Sequence, residues 1–287
     1  MIKALSAANK SERDKFKIPR SVQQSIPVKC VYEDGIWLVG RKHSRTWRFS
    51  DVNYAAASED DRRGIFLSYG GVLNSLPTDA AAKITIINRR LNPVDFQRTI
   101  LMKERGDGLD QYRRESNRIL TQRAAESNNL VQEKYITLSI PQRKIEESRA
   151  YFRRVDANLS KSFGRLDSGA RPVSTHDRLR ILHDFFRPGE EQYFTFDQSA
   201  AVRRGLDFRD LICPDGLRFR AGHFEMGDKV GRVLFLKDYA SYIKDSMISD
   251  LSDFSRNLML SIDILPIPTD EAVKEIQGRM IVASSAP

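Results

Sequence analysis

Nothing in this sequence is apolar for long. The longest runs, such as Val233 to Leu236 and Leu258 to Leu260, fall far short of the roughly 20 residues a helix needs to cross a bilayer, so a spanning helix is excluded. Residues Met1 to Lys17 mix Lys, Ser, Asn and Glu without the apolar stretch of a signal peptide, and the expected location is the cytoplasm. Cysteine is scarce as well. Cys30 and Cys213 stand 183 residues apart with no Cys-x-x-Cys partner, which argues for reduced thiols and against a disulfide framework or a cysteine zinc site. Two catalytic signatures are missing too. No Gly-x-x-x-x-Gly-Lys-Ser/Thr occurs, and the pairs Lys10-Ser11 and Lys161-Ser162 lack the glycines that would turn backbone N–H groups toward phosphates, so ATP binding through a P-loop is excluded. Gly-x-Ser-x-Gly, the turn that exposes a serine nucleophile, is also absent.

What is present is a globular composition, 40% hydrophobic and 30% charged, with enough apolar material for real cores. A length of 287 residues suits two compact domains or one large α+β unit, and two domains is the expectation. The net charge of +9 is unevenly spread. Up to Lys29, 7 basic residues against 2 acidic give +5, whereas from Ala240 onward 4 basic against 7 acidic give −3. Lys10, Arg13, Lys15, Lys17 and Arg20 are therefore candidate contacts to an anionic surface. Lipid headgroups, nucleic acid and acidic proteins all exploit that Coulomb attraction, and charge alone does not choose among them.

The chain reads as an α+β protein. After a flexible basic segment (1–24), Val28 to Tyr32 and Ile36 to Gly40 are β-branched and aromatic runs around Glu33-Asp34-Gly35, where Asp-Gly supplies the positive φ of a tight hairpin. Thr46 to Phe49 adds a third strand, completing a small meander. A helix capped by Ser58, a strand at Lys83 to Asn88, a helix carrying Leu109, Tyr112 and Ile119, and a strand at Tyr135 to Ile140 follow. Ile145, Ser148, Phe152, Val155, Leu159 and Phe163 then mark one face of a long helix. A Gly- and Ser-rich loop near residue 170 is the expected boundary between two subdomains, 25–170 and 171–277. The second opens with a helix capped by Ser174 and continues with a strand at Arg232 to Lys237, a helix around Ser246 to Phe254, a strand at Met259 to Leu265 and a helix from Thr269. These two βα series predict two ferredoxin-like layers with helices on one sheet face. No internal repeat is evident.

His176-Asp177 and His183-Asp184 repeat a pair seven residues apart, so on a helix His176 and His183 project to nearly one side as candidate metal ligands, and a metal-dependent hydrolase is one reading. Against it, Asp177 sits where a helix favours an acid, and the histidines edge an amphipathic stripe. The arginine pairs 89-90, 113-114 and 153-154, together with Trp37, Trp47, Phe185 and Phe186, supply the parts of a nucleic-acid surface, but the aromatics coincide with expected core positions. No residue set implies a cofactor.

Several collinear stretches resemble one family. Ile18 to Pro27 (IPRSVQQSIP), Thr46 to Ser58 (TWRFSDVNYAAAS), Gly106 to Glu115 (GDGLDQYRRE), Gln132 to Ser139 (QEKYITLS), Arg178 to Phe186 (RLRILHDFF) and Leu258 to Ala272 (LMLSIDILPIPTDEA) are similar to the TraE-like conjugal-transfer ATPases of type IV secretion systems in Gram-positive integrative elements and plasmids. The resemblance spans about residues 17 to 277 and covers the region before the RecA-like motor, whose Walker motifs are not in this chain. It implies a non-catalytic docking and assembly region at the inner face of the cell membrane. The partners it implies are small inner-membrane subunits of the channel and further copies of the ATPase, which is hexameric in relatives. Residues 278–287 depart from the helical continuation of the family and read as a truncated tail.

Overall fold

A computed structural model describes residues 21–52, 54, 56–90, 96–97, 100–126, 130–205, 207–227, 229–235, 237 and 246–284. A single helical turn, α1 (Val22–Ser25), leads into the meander of β1 (Val28–Val31), β2 (Trp37–Val39) and β3 (Lys42–Phe49). In the first turn Tyr32 O accepts from Gly35 N at 3.1 Å and Tyr32 N donates to Ile36 O at 2.9 Å. Gly35 alone in that turn takes positive φ, at 83°, the left-handed glycine that follows a type I turn in a three-residue hairpin loop. A Cβ there would overlap the carbonyl oxygen of Val173, so the glycine also lets the hairpin lie against the next layer.

The remaining elements follow the predicted alternation in α2 (Glu59–Asn74), β4 (Ala81–Arg90), α3 (Asp110–Glu126), β5 (Leu130–Pro141), α4 (Ile145–Gly164) and α5 (Thr175–Phe186), while the stretch expected to be a loop between the last two contains a short strand, β6 (Ala170–Pro172). Ser58 and Ser174 both cap as predicted, each accepting from the backbone N–H three residues on, that of Asp61 and of Asp177. Beyond them come α6 (Gln198–Arg204), α7 (Arg209–Ile212), the short strands β7 (Leu217–Phe219), β8 (Phe224–Met226) and β9 (Lys229–Gly231), then α8 (Met247–Ser252), β10 (Leu258–Ile264) and α9 (Thr269–Ser284). The α+β class holds.

The arrangement within that class differs from the two expected layers. β3 pairs with β5 along its whole length, β5 with β4, and β4 with β10, all antiparallel. On the other edge of β3, β2 occupies residues 42–44 and β6 residues 47–49. The meander, β4 and β5 of the first βα series and β10 of the second thus share one seven-stranded sheet, ordered β1-β2-β3-β5-β4-β10 with β6 beside β3, and strands from either side of residue 170 belong to it. β10 joins because its alternate residues Leu260, Ile262 and Ile264 extend the apolar face that β4 presents with Ile86, Ile84 and Ala82, opposite them in register. Pairing half-buries them; periodicity does not reveal the partner.

Helices cover both faces of this sheet, not one. On the first face, α4 sets the predicted stripe Ser148, Phe152, Val155, Leu159 and Phe163 against Trp47, Ile136, Leu138 and Ile140, and α2 adds Val72. The rings of Trp47 and Phe152 lie 6.1 Å apart, and Trp47 Nε1 donates to Asp156 Oδ1 at 2.8 Å. On the second face lies α5, whose Leu179 packs with Val28, Trp37 and Ile212. Two further corrections concern the end of the chain. The strand expected at Arg232 to Lys237 does not form over its described residues; the strand nearby is β9, which ends before it at Gly231 within a separate sheet of β7, β8 and β9. The tail expected to break the helical pattern after residue 277 continues as helix to Ser284.

Candidate functional site

The second face of the sheet is polar because alternation sends the other half of each strand there. Ser44, Thr46 and Arg48 of β3, Glu133, Tyr135 and Thr137 of β5, and Ile87 and Arg89 of β4 share it. Above them α5 presents Asp177, Arg180, Ile181 and Asp184, spaced three, four and seven residues apart on one helical side. Between helix and sheet lies a cleft of about 160 Å³, whose rim includes Arg171 and Pro172 of β6. Four guanidinium groups and three carboxyls meet there.

Glu133 is the hub. Its side chain is 5% exposed and accepts from Arg89 Nε at 2.9 Å and Nη2 at 3.3 Å, from the Tyr135 hydroxyl at 3.0 Å, and pairs with Arg48 Nη2 at 3.2 Å. Burial pushes this carboxyl up, but the hydrogen bond and charge of Arg89, the charge of Arg48 and the Tyr135 hydroxyl outweigh it and hold it below its ordinary value. Burial and the Glu133 charge push the Tyr135 phenol up, so its proton stays on to donate. Asp184, buried on α5, reaches Arg89 less closely: Oδ2 is 3.8 Å from Nη1 and has no hydrogen-bond partner, while Oδ1 lies 3.2 Å from His183 Nδ1. The arrangement can hold an anion; among the described residues no group of three or more His, Cys, Asp or Glu could hold a metal ion.

The histidines singled out in the sequence do come to one side of α5, and what they meet is Phe194. The ring of His176 lies 5.2 Å and that of His183 5.1 Å from the Phe194 ring. His183 is buried and His176 exposed. Lys10, Arg13, Lys15, Lys17 and Arg20 lie outside the described residues. Of the arginine pairs, Arg89 is buried on Glu133, and Arg113 is held by Asp107 and by Asp110, the latter at 2.6 Å. The hydrogen bonds from Arg113 hold Asp107 at about 2, below the usual carboxylate range. Arg154 lies over the Tyr151 ring at 6.0 Å. Trp37 and Trp47 occupy the core positions expected of them. Arginines so engaged by carboxylates and rings are poor free contacts for a phosphate backbone.

One buried cation stands apart. Arg178 of α5 lies over the Trp37 ring at 4.0 Å and donates to Gly35 O at 2.9 Å and to Ser44 O at 3.1 Å. Burial, with the nearby Arg45 charge, pulls its pKa down to about 9, still charged at neutral pH. It ties α5 to the hairpin, and so fixes the roof of the cleft.

Outside the cleft the molecule leaves apolar side chains in solvent. Val233, Leu234 and Phe235 are 78%, 84% and 80% exposed. On α9, Val273, Ile276 and Met280 are exposed at spacings of three and four, one uncovered stripe. Phe66 and Leu67 of α2 are likewise exposed.

Sequence reasoning missed Arg48, Glu133, Tyr135, Arg171 and Asp184 as a group. Glu133 stands between Gln132 and Lys134, ahead of the strand expected at Tyr135 to Ile140, and its burial follows from strand pairing that the sequence does not show. Compared with protein-family models and with curated proteins, the chain matches none.

Proposed function

We propose that this chain is a non-catalytic docking and assembly region of a type IV secretion machine for conjugative DNA transfer, contacting inner-membrane channel subunits and other copies of the ATPase. The observation that carries the reading is the uncovered apolar surface, foremost Val233, Leu234 and Phe235. A globular protein gains by burying such side chains, and contiguous exposed apolar residues mark interaction sites. The collinear resemblance to TraE-like ATPases from about residue 17 to 277 supplies the identity of the partners. The location that goes with it is peripheral, at the inner face of the cell membrane; no described helix is long and apolar enough to cross one.

The test is site-specific photo-crosslinking from position 234 in cells carrying the conjugative element, with mating frequency measured in parallel. A crosslink to a channel subunit or to the motor ATPase is expected, together with a fall in transfer of at least about tenfold when Leu234 and Phe235 become Ser, the loss that removing a small hydrophobic hot spot entails. Unchanged transfer without a crosslink overturns the reading. So does ATP hydrolysis by the purified chain.

A further inference from the structure

The cleft under α5 plays no part in docking through the apolar surface, and its chemistry calls for a ligand of its own. Arg48 of β3 and Arg171 of β6 are direct cross-strand partners in register, so their side chains leave the same face of the sheet side by side. Like charges so placed repel. Glu133 offsets only part of this, because it meets Arg48 through one nitrogen at 3.2 Å while Arg89 takes both of its oxygens. Both arginines stand exposed at the mouth. Deeper in, Asp184 Oδ2 is an acceptor with no donor, on a side chain 2% exposed, and it lines the same cleft. The mouth therefore asks for an anion and the depth for a hydrogen-bond donor.

We propose that this cleft binds inorganic phosphate in its monohydrogen form. Its anionic oxygens accept from Arg48 and Arg171, and its P–OH donates to Asp184 Oδ2. The carboxyl oxygen is what selects. Sulfate at neutral pH carries no proton and would set acceptor against acceptor, a buried mismatch that hydrogen bonding penalises. A monoester, whose second ionisation lies at about 6, has lost most of that proton by neutral pH and is disfavoured for the same reason. A volume of about 160 Å³ accommodates one tetrahedral anion.

Isothermal titration of the full chain at pH 7 and matched ionic strength, with sodium phosphate, sodium sulfate and adenosine monophosphate, tests the assignment. Phosphate should bind one to one and sulfate at least about tenfold more weakly, the discrimination one unpaired buried acceptor supplies. Asp184→Asn should bring phosphate and sulfate within about threefold of each other, because an amide donates to either anion. Arg171→Ala, at an exposed site that leaves the fold alone, should weaken phosphate by about tenfold through loss of a charge-assisted bond. Equal affinities for the two anions, tighter binding of the monophosphate, no heat with any of them, or an Arg171→Ala variant that binds as well as the parent would each overturn the proposal.

Discussion

The two faces of the one sheet are built from the same strands and held by different mixtures of contacts. The first face meets α4 and α2 through aromatic and aliphatic side chains, where burial itself is the driving force and many partners serve. The second meets α5 through the apolar contacts of Leu179 and Ile181 and, beside them, through Arg178 on Trp37, the Glu133 hub and a ring of guanidinium groups, where each buried charge has to find a particular partner. An apolar face tolerates change in proportion to the volume lost, whereas a charged one fails when either half of a pair is removed. The same difference separates stability from function, since a cleft can persist only where the face is not packed shut.

Substitutions can break this comparison, and the largest effect belongs to the first face. Phe152→Ala, at a fully buried ring against Trp47, should cost about 3–5 kcal/mol in urea denaturation. On the second face Arg89→Met should cost about 3 kcal/mol by stranding Glu133. The double variant Arg89→Met, Glu133→Leu should recover at least about 1 kcal/mol of that, a coupling no volume argument for the first face would give.

The pH dependence is smaller and sharpens the same point. The folded Glu133 carboxyl is depressed, so the unfolded chain binds protons more readily. Its contribution is therefore complete above its ordinary value of 4.5 and is lost as pH falls below it. Melting temperature should decline on acidification below pH 4.5, and less steeply in Glu133→Gln. The smallest effect tests the helix ends: Ser174→Ala on α5 and Ser58→Ala on α2 should each cost about 1 kcal/mol in chemical denaturation, alike on the two faces, because a cap acts within its own helix.

Local features were legible in the residues. The caps at Ser58 and Ser174, the hairpin at Gly35 and the buried stripe of α4 all follow from backbone preference and spacing within a few residues. The cleft was not legible. Arg48 and Arg171 lie 123 positions apart, and only the pairing of β6 with β3 puts them side by side. His183-Asp184 was visible as a pair, yet its acid turns toward Arg89 of a distant strand and its imidazole toward Phe194. Arg232 to Lys237 reads as a strand because four apolar residues, Val233 to Leu236, run together there, but residues 232–235 take another place. They lie outside the β7-β8-β9 sheet, exposed, and that placement is what recommends them as a contact surface.

By itself the sequence determined the kind of element at most places, the absence of a P-loop and the α+β class, since each depends on neighbours along the chain or on a short motif. Tertiary structure alone decided that β10 crosses to β4 and joins the sheet of the first series, and that four arginines and three acids share a cleft. The physical reason is the two-residue period of a strand: it states which side chains share a face, but not which other strand will lie beside them or what will cover that face.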